Sequence, residues 1–237
     1  MEQMICSGLL DMGLEGRFDP SAPRQLAEYG RLLLKQNQVM NLTAIRDEER
    51  VARLHMLDSA ALLYMADFRG KSLLDVGTGA GFPGLALKIL VPSLEVTLLD
   101  SLEKRLLWLN EVIAALHLTG ATTLHVRAEE QALEYGFRDC FDFVAARAVT
   151  QMNALTELCL PYVKPGGLFL AMKSAHSDGE LEGAARAIEL LGGQAEETRE
   201  YTIPGTQVTH RILSVRKMKV TPAGYPRRWA KIQKQPL

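Results

Sequence analysis

Between Leu73 and Leu87 the chain reads LLDVGTGAGFPGLAL, an acid followed by glycines at alternate positions: Asp75, then Gly77, Gly79 and Gly81. Glycine takes positive backbone angles without steric cost and, having no side chain, lets a ligand lie against the main chain. Gly79, Gly81 and Gly84 also match the G-x-G-x-x-G spacing of a dinucleotide site, a weak signal on its own, and an ordinary tight turn is the alternative. Asp100 stands about 20 residues further on, where a carboxylate can accept two ribose hydroxyls. The run Asp100-Ser101-Leu102-Glu103 is equally a helix-capping pattern. Arg127-Ala128-Glu129-Glu130 offers a backbone amide and a side-chain acceptor suited to an adenine ring, or else is a charged loop. Arg147 and Lys173 close two later apolar runs, and each is a candidate for holding a polar substrate. His55 and Asp58 lie three apart on one helical face and could hydrogen-bond, for catalysis or only for structure.

Those residues need a sheet to bring them together, and the sequence alternates as one should. Leu73, Leu74 and Val76 read as a buried parallel strand, and Leu85 to Leu90 as a helix with Pro83 in its first turn. Further strands are expected at 95–99, 122–126, 141–145 and 168–172, with helices around 102–116, 155–160 and 188–191, and a closing antiparallel pair at 196–203 and 211–215. In such a sheet Asp75, Asp100, Glu129, Arg147 and Lys173 all stand at the carboxyl edge, where ligands bind. Residues 1–70 show helical spacing and no strand pattern. The expected division is a helical cap over 1–70, a catalytic domain over 71–216 and a basic tail over 217–237.

Composition excludes several classes. No apolar run approaches the roughly 20 residues of a membrane-spanning helix, and the amino terminus carries acids where a signal peptide carries bases, so a cytoplasmic protein is expected. Cys6, Cys140 and Cys159 are widely separated, which supports neither a disulfide framework nor a metal site. The formal net charge is only -1, yet the tail holds Lys217, Lys219, Arg227, Arg228, Lys231 and Lys234 with no acid, interleaved with Tyr225 and Trp229. Bases alternating with aromatics suit phosphate contact and stacking on an unpaired base, or else form a solvated tail. Arg46, Arg50, Arg53 and His55 are the alternative RNA-facing group.

The pattern D-x-G-x-G-x-G resembles motif I of the S-adenosylmethionine-dependent methyltransferases, whose ligand has no pyrophosphate. Taken with NLTAIRD, HMLDS, VTLLDSLEKRLLWL, HVRAEE, FDFVAARAV, LPYVKPGG and YPRR, the chain resembles, over nearly its whole length, the bacterial 16S ribosomal RNA guanine-7-methyltransferase family, also called glucose-inhibited division protein B. The resemblance implies a doubly wound, mostly parallel α/β sheet of seven strands in the Rossmann-like methyltransferase form. It implies S-adenosylmethionine as cofactor, no metal, a monomer, and as partner 16S ribosomal RNA or a precursor of the small subunit, with the target guanine in the decoding-region loop. It also implies that Gly77 and Phe82 contact the cofactor, that Ala128 and Glu129 flank its adenine, and that Arg147 stands at the active crevice. The expected cofactor site is Asp75, Gly77, Gly79, Gly81, Phe82, Asp100, Ala128, Glu129 and Arg147, with Arg147 and Lys173 positioning the substrate. One departure is Gln36, where members commonly carry tryptophan.

Absent residues point the same way. Methylating carbon-5 of a pyrimidine needs a cysteine nucleophile, and methylating an exocyclic adenine amine usually needs an N-P-P-Y-like clamp after strand four; neither is present. Nitrogen-7 of guanine has an in-plane lone pair and no proton to lose, so position and charge suffice. A small-molecule methyltransferase or a non-catalytic RNA-binding module are the other readings of these motifs.

Overall fold

A computed structural model of the chain describes residues 1–177 and 179–237. The amino-terminal part is helical, as its spacing predicts: α1 (Glu2–Asp11), α2 (Ala22–Met40), and a composite run of α3 (Glu48–Val51), a π-helical stretch (Ala52–Leu57), α4 (Asp58–Ala60) and a 3-10 turn (Ala61–Tyr64). Strands and helices then alternate as β1 (Ser72–Val76), α5 (Gly84–Leu90), β2 (Glu95–Asp100), α6 (Glu103–Ala115), β3 (Ala121–His125), α7 (Ala128–Gln131), β4 (Phe141–Arg147), α8 (Met152–Cys159) and β5 (Val163–Ser174). The chain ends with α9 (Glu180–Gly183), α10 (Ala185–Leu190), β6 (Gly193–Ala195), β7 (Arg199–Thr202), β8 (Thr209–Lys217) and α11 (Trp229–Lys234). Pro83 is the cap residue before α5, one position outside the helix it was expected to begin.

The sheet runs β3-β2-β1-β4-β5-β8-β6, with β7 also on β8. Strands β1 to β5 are parallel, and β8 runs antiparallel to β5. It has eight strands, not the expected seven, because the strand expected at 196–203, found as β7 (Arg199–Thr202), is preceded on the same edge by an additional short strand, β6 (Gly193–Ala195). Ala195 pairs Val215 while Arg199 pairs Ile212, so four steps along the edge match three along β8. That extra residue is a bulge, which ends one ladder segment and starts another.

Both faces of the central strands are covered, and successive residues go to opposite sides. Leu73 and Leu98 join the core formed with the amino-terminal helices, α5 and α6, whereas Leu74 and Leu99 join the core beneath α8 and α10. The cap is tied to the glycine loop by Tyr29, a fully buried residue of α2 whose hydroxyl donates to the Ala80 carbonyl. Phe82 is stacked between Tyr29 and His55, with ring centroids 5.1 and 4.6 Å away.

The tail is folded onto the domain, and two of its bases are consumed there. Lys217 is fully buried, donating to the Leu160 carbonyl at 2.8 Å and pairing with Asp139 at 2.9 Å. Arg227 makes a side-on pair with the fully buried Glu157 at 2.8 and 2.6 Å, and its backbone N–H donates to the same carboxylate. Neither is free to meet a phosphate as expected from the sequence, since each is already paired with a carboxylate 70 or more residues earlier in the chain. Arg138 donates to the carbonyls of Thr221, Pro222 and Tyr225, and Ile232 of α11 is fully buried.

Replacing Lys217 with methionine takes the ammonium from the Asp139 carboxylate, which keeps its bonds from Thr221, and should cost about 3 kcal/mol of stability in urea unfolding. Arg228→Ala, at an exposed position, should cost less than about 0.5 kcal/mol in the same measurement.

Candidate active site

The carboxylate of Asp75, at the end of β1, builds the glycine loop. Its Oδ2 accepts from Thr78 Oγ1 at 2.6 Å and from the Gly84 backbone N–H at 2.8 Å, fastening the loop to the start of α5. Its Oδ1 is buried without a hydrogen-bond partner, and burial pushes the carboxyl up to about 6 against the bonds from Thr78 and Gly84. Asp75 therefore shapes the site from below and does not line the cavity, contrary to the expected cofactor contact. The loop glycines divide the work: Gly77, Gly79 and Gly81 have φ of +71°, +58° and +89°. A Cβ on Gly81 would collide with the Tyr29 hydroxyl, while one on Gly77 would come within 2.8 Å of the Val149 side chain, at the cavity wall.

That cavity, of about 300 Å3, lies over the carboxyl edge of β1, β2 and β4 and is lined by Gly77, Asp100, Arg127, Ala128, Glu129, Val149 and Trp229 among others. Asp100 is only 3 % exposed. Its Oδ2 accepts from the Gly79 N–H and pairs with Arg105, while Oδ1 takes a single bond from the Leu102 N–H, leaving acceptor capacity for a ribose hydroxyl. Loop anchor and sugar acceptor are compatible roles, and α6 itself starts from Leu102 without a side-chain cap. The Ala128 carbonyl is held by the Tyr162 hydroxyl at 2.5 Å, which fixes the turn into α7. A nucleoside with a free ribose edge fits this donor and acceptor set.

A second cleft of about 440 Å3 is lined by Leu54, His55, Asp58, Arg147, Lys173 and His210, and it shares Ala148 with the first. Ala148 has φ +56°, a left-handed conformation costing roughly 1 to 2 kcal/mol for a non-glycine residue. The turn it makes sends Arg147 into one cavity and Val149 into the other.

Arg147 is held from three sides. It donates to Asp58 Oδ2 at 2.9 Å, to the Leu54 carbonyl at 3.1 Å and to His55 Nδ1 at 2.9 Å, and its guanidinium lies 5.1 Å from the Phe82 ring centroid. Since arginine only donates, His55 Nδ1 accepts, so its proton is on Nε2 and goes to Thr43 Oγ1 at 2.9 Å. Burial and the Arg147 charge accordingly push the His55 pKa down to about 3, against the opposing pull of Asp58. His55 and Asp58 share a face, as their spacing predicts, but bond to Arg147 and not to each other. The π-helical stretch carrying His55 is a local unwinding often found at working sites. Asp58 Oδ1 also accepts from Tyr201 and His210, each at 2.7 Å. Burial alone would raise the Asp58 carboxyl, but the bond from His210 and the Arg147 charge together hold it below its usual range.

Several expected site residues sit elsewhere. Phe82 packs between cap and loop and does not line the cofactor cavity. Gly79 and Gly81 shape the loop without lining it. Lys173 reaches the second cleft, but its ammonium is paired with Glu180 at 2.6 Å and bonded to the Thr150 carbonyl. His55 is a neutral, buried part of the network and no phosphate-binding cation. Trp229, expected on the RNA surface, lines the first cavity. Arg46, Lys219, Arg228 and Lys231 are exposed. Gln36 borders a cleft of about 170 Å3 beside Trp108 and Val112, remote from both cavities. Tyr201, His210 and Val149 had no sequence signal, because each acquires its place only through strand pairing or a backbone turn.

Comparison with known proteins agrees with this geometry. Residues 22–209 match the family model GidB, rRNA small subunit methyltransferase G. The ribosomal RNA small subunit methyltransferase G of Lachnoclostridium phytofermentans is 46% identical over 97% of this chain and 95% of its own length. That of Exiguobacterium sibiricum is 41% identical over 100% and 99%. Among solved structures, TrmN from Thermus thermophilus superposes with TM-score 0.52 and 25% identity over 68% of this chain and 48% of that one. An S-adenosylmethionine-dependent O-methyltransferase from Thermotoga maritima gives TM-score 0.52 at 15% identity over 80% and 73%, a likeness of fold.

Gly77→Val should abolish cofactor binding in calorimetry while far-ultraviolet circular dichroism stays native, since the branched side chain fills the cavity wall and the strain at φ +71° is local. His55 sets an acid limit. Its folded pKa of about 3 is below the unfolded 6.5, so as pH falls through 6.5 the unfolded state takes up a proton that the native state refuses, and stability declines. Asp75, raised to about 6, acts with the opposite sign over part of that window, so the comparison must be between variants. His55→Gln should lose roughly 2 kcal/mol less than the wild type between pH 6.5 and about 4.5 in urea titrations.

Proposed function

Because the chain belongs to the GidB family of rRNA small subunit methyltransferase G, we propose that it moves the methyl group of S-adenosylmethionine to nitrogen-7 of a guanine in 16S ribosomal RNA, free or within a small-subunit precursor. The observation that carries this reading is the meeting of two cavities at Ala148, one suited to a nucleoside and one holding a fixed guanidinium.

The donor supplies an electrophilic methyl carried on a sulfonium sulfur. Asp100 would take its ribose hydroxyls, the Ala128 and Glu129 edge its adenine, and Gly77 the close approach of its methionine portion. In the second cleft His55 Nδ1 is engaged by Arg147, Asp58 by three partners and Lys173 by Glu180, and no cysteine lines either cavity. One imidazole edge there, His210 Nε2, has no protein partner among the described residues and could take a proton. The nitrogen-7 lone pair of guanine needs no such help: it forms the new bond to the methyl carbon as the carbon–sulfur bond breaks, and the base becomes cationic.

Arg147 is a positioning group with its charge balanced. Its bonds to Asp58, Leu54 and His55 leave Nε–H and one Nη2–H without a protein acceptor among the described residues, and guanine O6, beside nitrogen-7, is the matching acceptor. A bare guanidinium would oppose the developing positive charge, and the Asp58 carboxylate offsets that repulsion. Exposed Arg46 and Arg50, on the cap near this cleft's His55 wall in sequence, are, with Lys219, Arg228 and Lys231 of the tail, cations placed to meet phosphates.

Incubated with ribosomal RNA from cells lacking the gene, the protein should yield 7-methylguanosine in mass spectrometry of digested nucleosides; methylation at any other atom would refute the reading. Arg147→Ala should lower turnover by about 100-fold or more while changing cofactor affinity much less. Equal losses in the two quantities would make Arg147 a cofactor ligand.

A further inference from the structure

We propose that the carboxyl-terminal segment, residues 221–234, is the adenine-side wall of the S-adenosylmethionine pocket, with the indole of Trp229 packed against the purine of the bound donor. The inference deepens the proposed function and rests on its assignment of the first cavity to the donor.

Trp229 lines that cavity together with Ala128 and Glu129, and it meets Glu129 again in an outer cleft. That cleft, of about 630 Å3, is also lined by Arg127, Pro226 and Arg228. The indole is therefore a partition, with the donor cavity on one side and an open cleft on the other. It is half-buried and packed against the core under α8, unlike the exposed Arg228 next to it.

The segment bearing this indole is anchored far more strongly than a solvated tail would be. Glu157, fully buried in α8, binds the backbone and guanidinium of Arg227, two residues before Trp229. The neighbouring Leu158 lines the donor cavity itself, so α8 holds the strap and completes the pocket with successive residues. Arg138 grips three carbonyls between Thr221 and Tyr225, and Ile232 plugs the core beyond. A buried ion pair and a clamp on backbone carbonyls fix an element in place more than they add net stability. What they fix here is a large flat aromatic at the mouth of a nucleoside site. Aromatic side chains bind bases through their π faces, with no need of the base's hydrogen-bonding edge, which remains for Ala128 and Glu129. Glu157 is a positioning residue, acting on the donor through Arg227 and Trp229.

Calorimetric titration of the full chain with S-adenosylhomocysteine and with methylthioadenosine tests this. Trp229→Ala should weaken both ligands alike by about 10- to 100-fold, because both carry the adenosine half. Trp229→Phe should remain within about threefold of wild type, and Glu157→Gln should weaken both ligands. Only two tryptophans occur, and Trp108 is buried beside Tyr29, so in Trp108→Phe the emission reports Trp229 alone and should change on saturation with S-adenosylhomocysteine. If that variant does not fold, the difference in emission between wild type and Trp229→Phe reads the same quantity. Wild-type affinity in Trp229→Ala, with no response of the Trp229 emission, would overturn the strap while leaving the pocket assignment intact. Loss of RNA affinity alone in that variant would return the indole to the RNA surface. Failure of the wild type to bind either ligand would overturn the pocket assignment and this inference together.

Discussion

One carboxylate, that of Asp58, joins three parts of the chain remote from one another in sequence. It sits on the cap, receives Arg147 from the end of β4, and receives Tyr201 and His210 from β7 and β8. A charge that deeply buried is tolerated only when every lone pair is used, and here the partners come from each neighbouring element. The cap, the sheet edge and Arg147 are thereby set relative to one another by a single group. The neutral state of His55 follows from its burial and, after that, from the same knot, since a second cation against the guanidinium would be unfavourable.

The glycine loop is held on a comparable principle, and at a cost. Asp75 fixes the loop with one oxygen while the other is buried and unsatisfied, and its carboxyl is correspondingly reluctant to ionise. Ala148 adds a left-handed residue at the junction of the two cavities. Local strain and incomplete solvation thus concentrate around the glycine loop and the junction of the two cavities, on a sheet whose central strands are packed on both faces. Beside the first cavity the buried Arg227–Glu157 pair holds the carboxyl-terminal segment and so brings Trp229 into the cavity lining.

How much of this was legible in the sequence depended on the range of the interaction. The glycine loop, the alternation of strands and helices, and the carboxyl-edge placement of Asp100, Glu129 and Arg147 follow from patterns a few residues long, because backbone angles and side-chain periodicity are local properties. Family membership was legible for the same reason, through short ordered motifs. The two-part edge strand was not: a one-residue bulge changes which residue on β8 is opposite, and that is a property of pairing.

The charges show the limit most clearly. Composition could count the bases of the tail, yet whether a lysine is free to meet a phosphate depends on what lies beside it after folding. Lys217 and Arg227 are neutralised by Asp139 and Glu157, whereas Arg46, Lys219, Arg228 and Lys231 remain in solvent. His55 and Asp58 were marked by their helical spacing, but only the tertiary structure put Arg147 between them and so decided the tautomer of one and the ionisation of the other. The sequence by itself determined the local geometry of the loop and the order of the sheet, since these arise from steric limits and hydrophobic period. Which polar groups face a ligand and which serve as internal counter-ions was decided by tertiary packing, because electrostatic partnership depends on distance in space and on exclusion of water, neither of which is written along the chain.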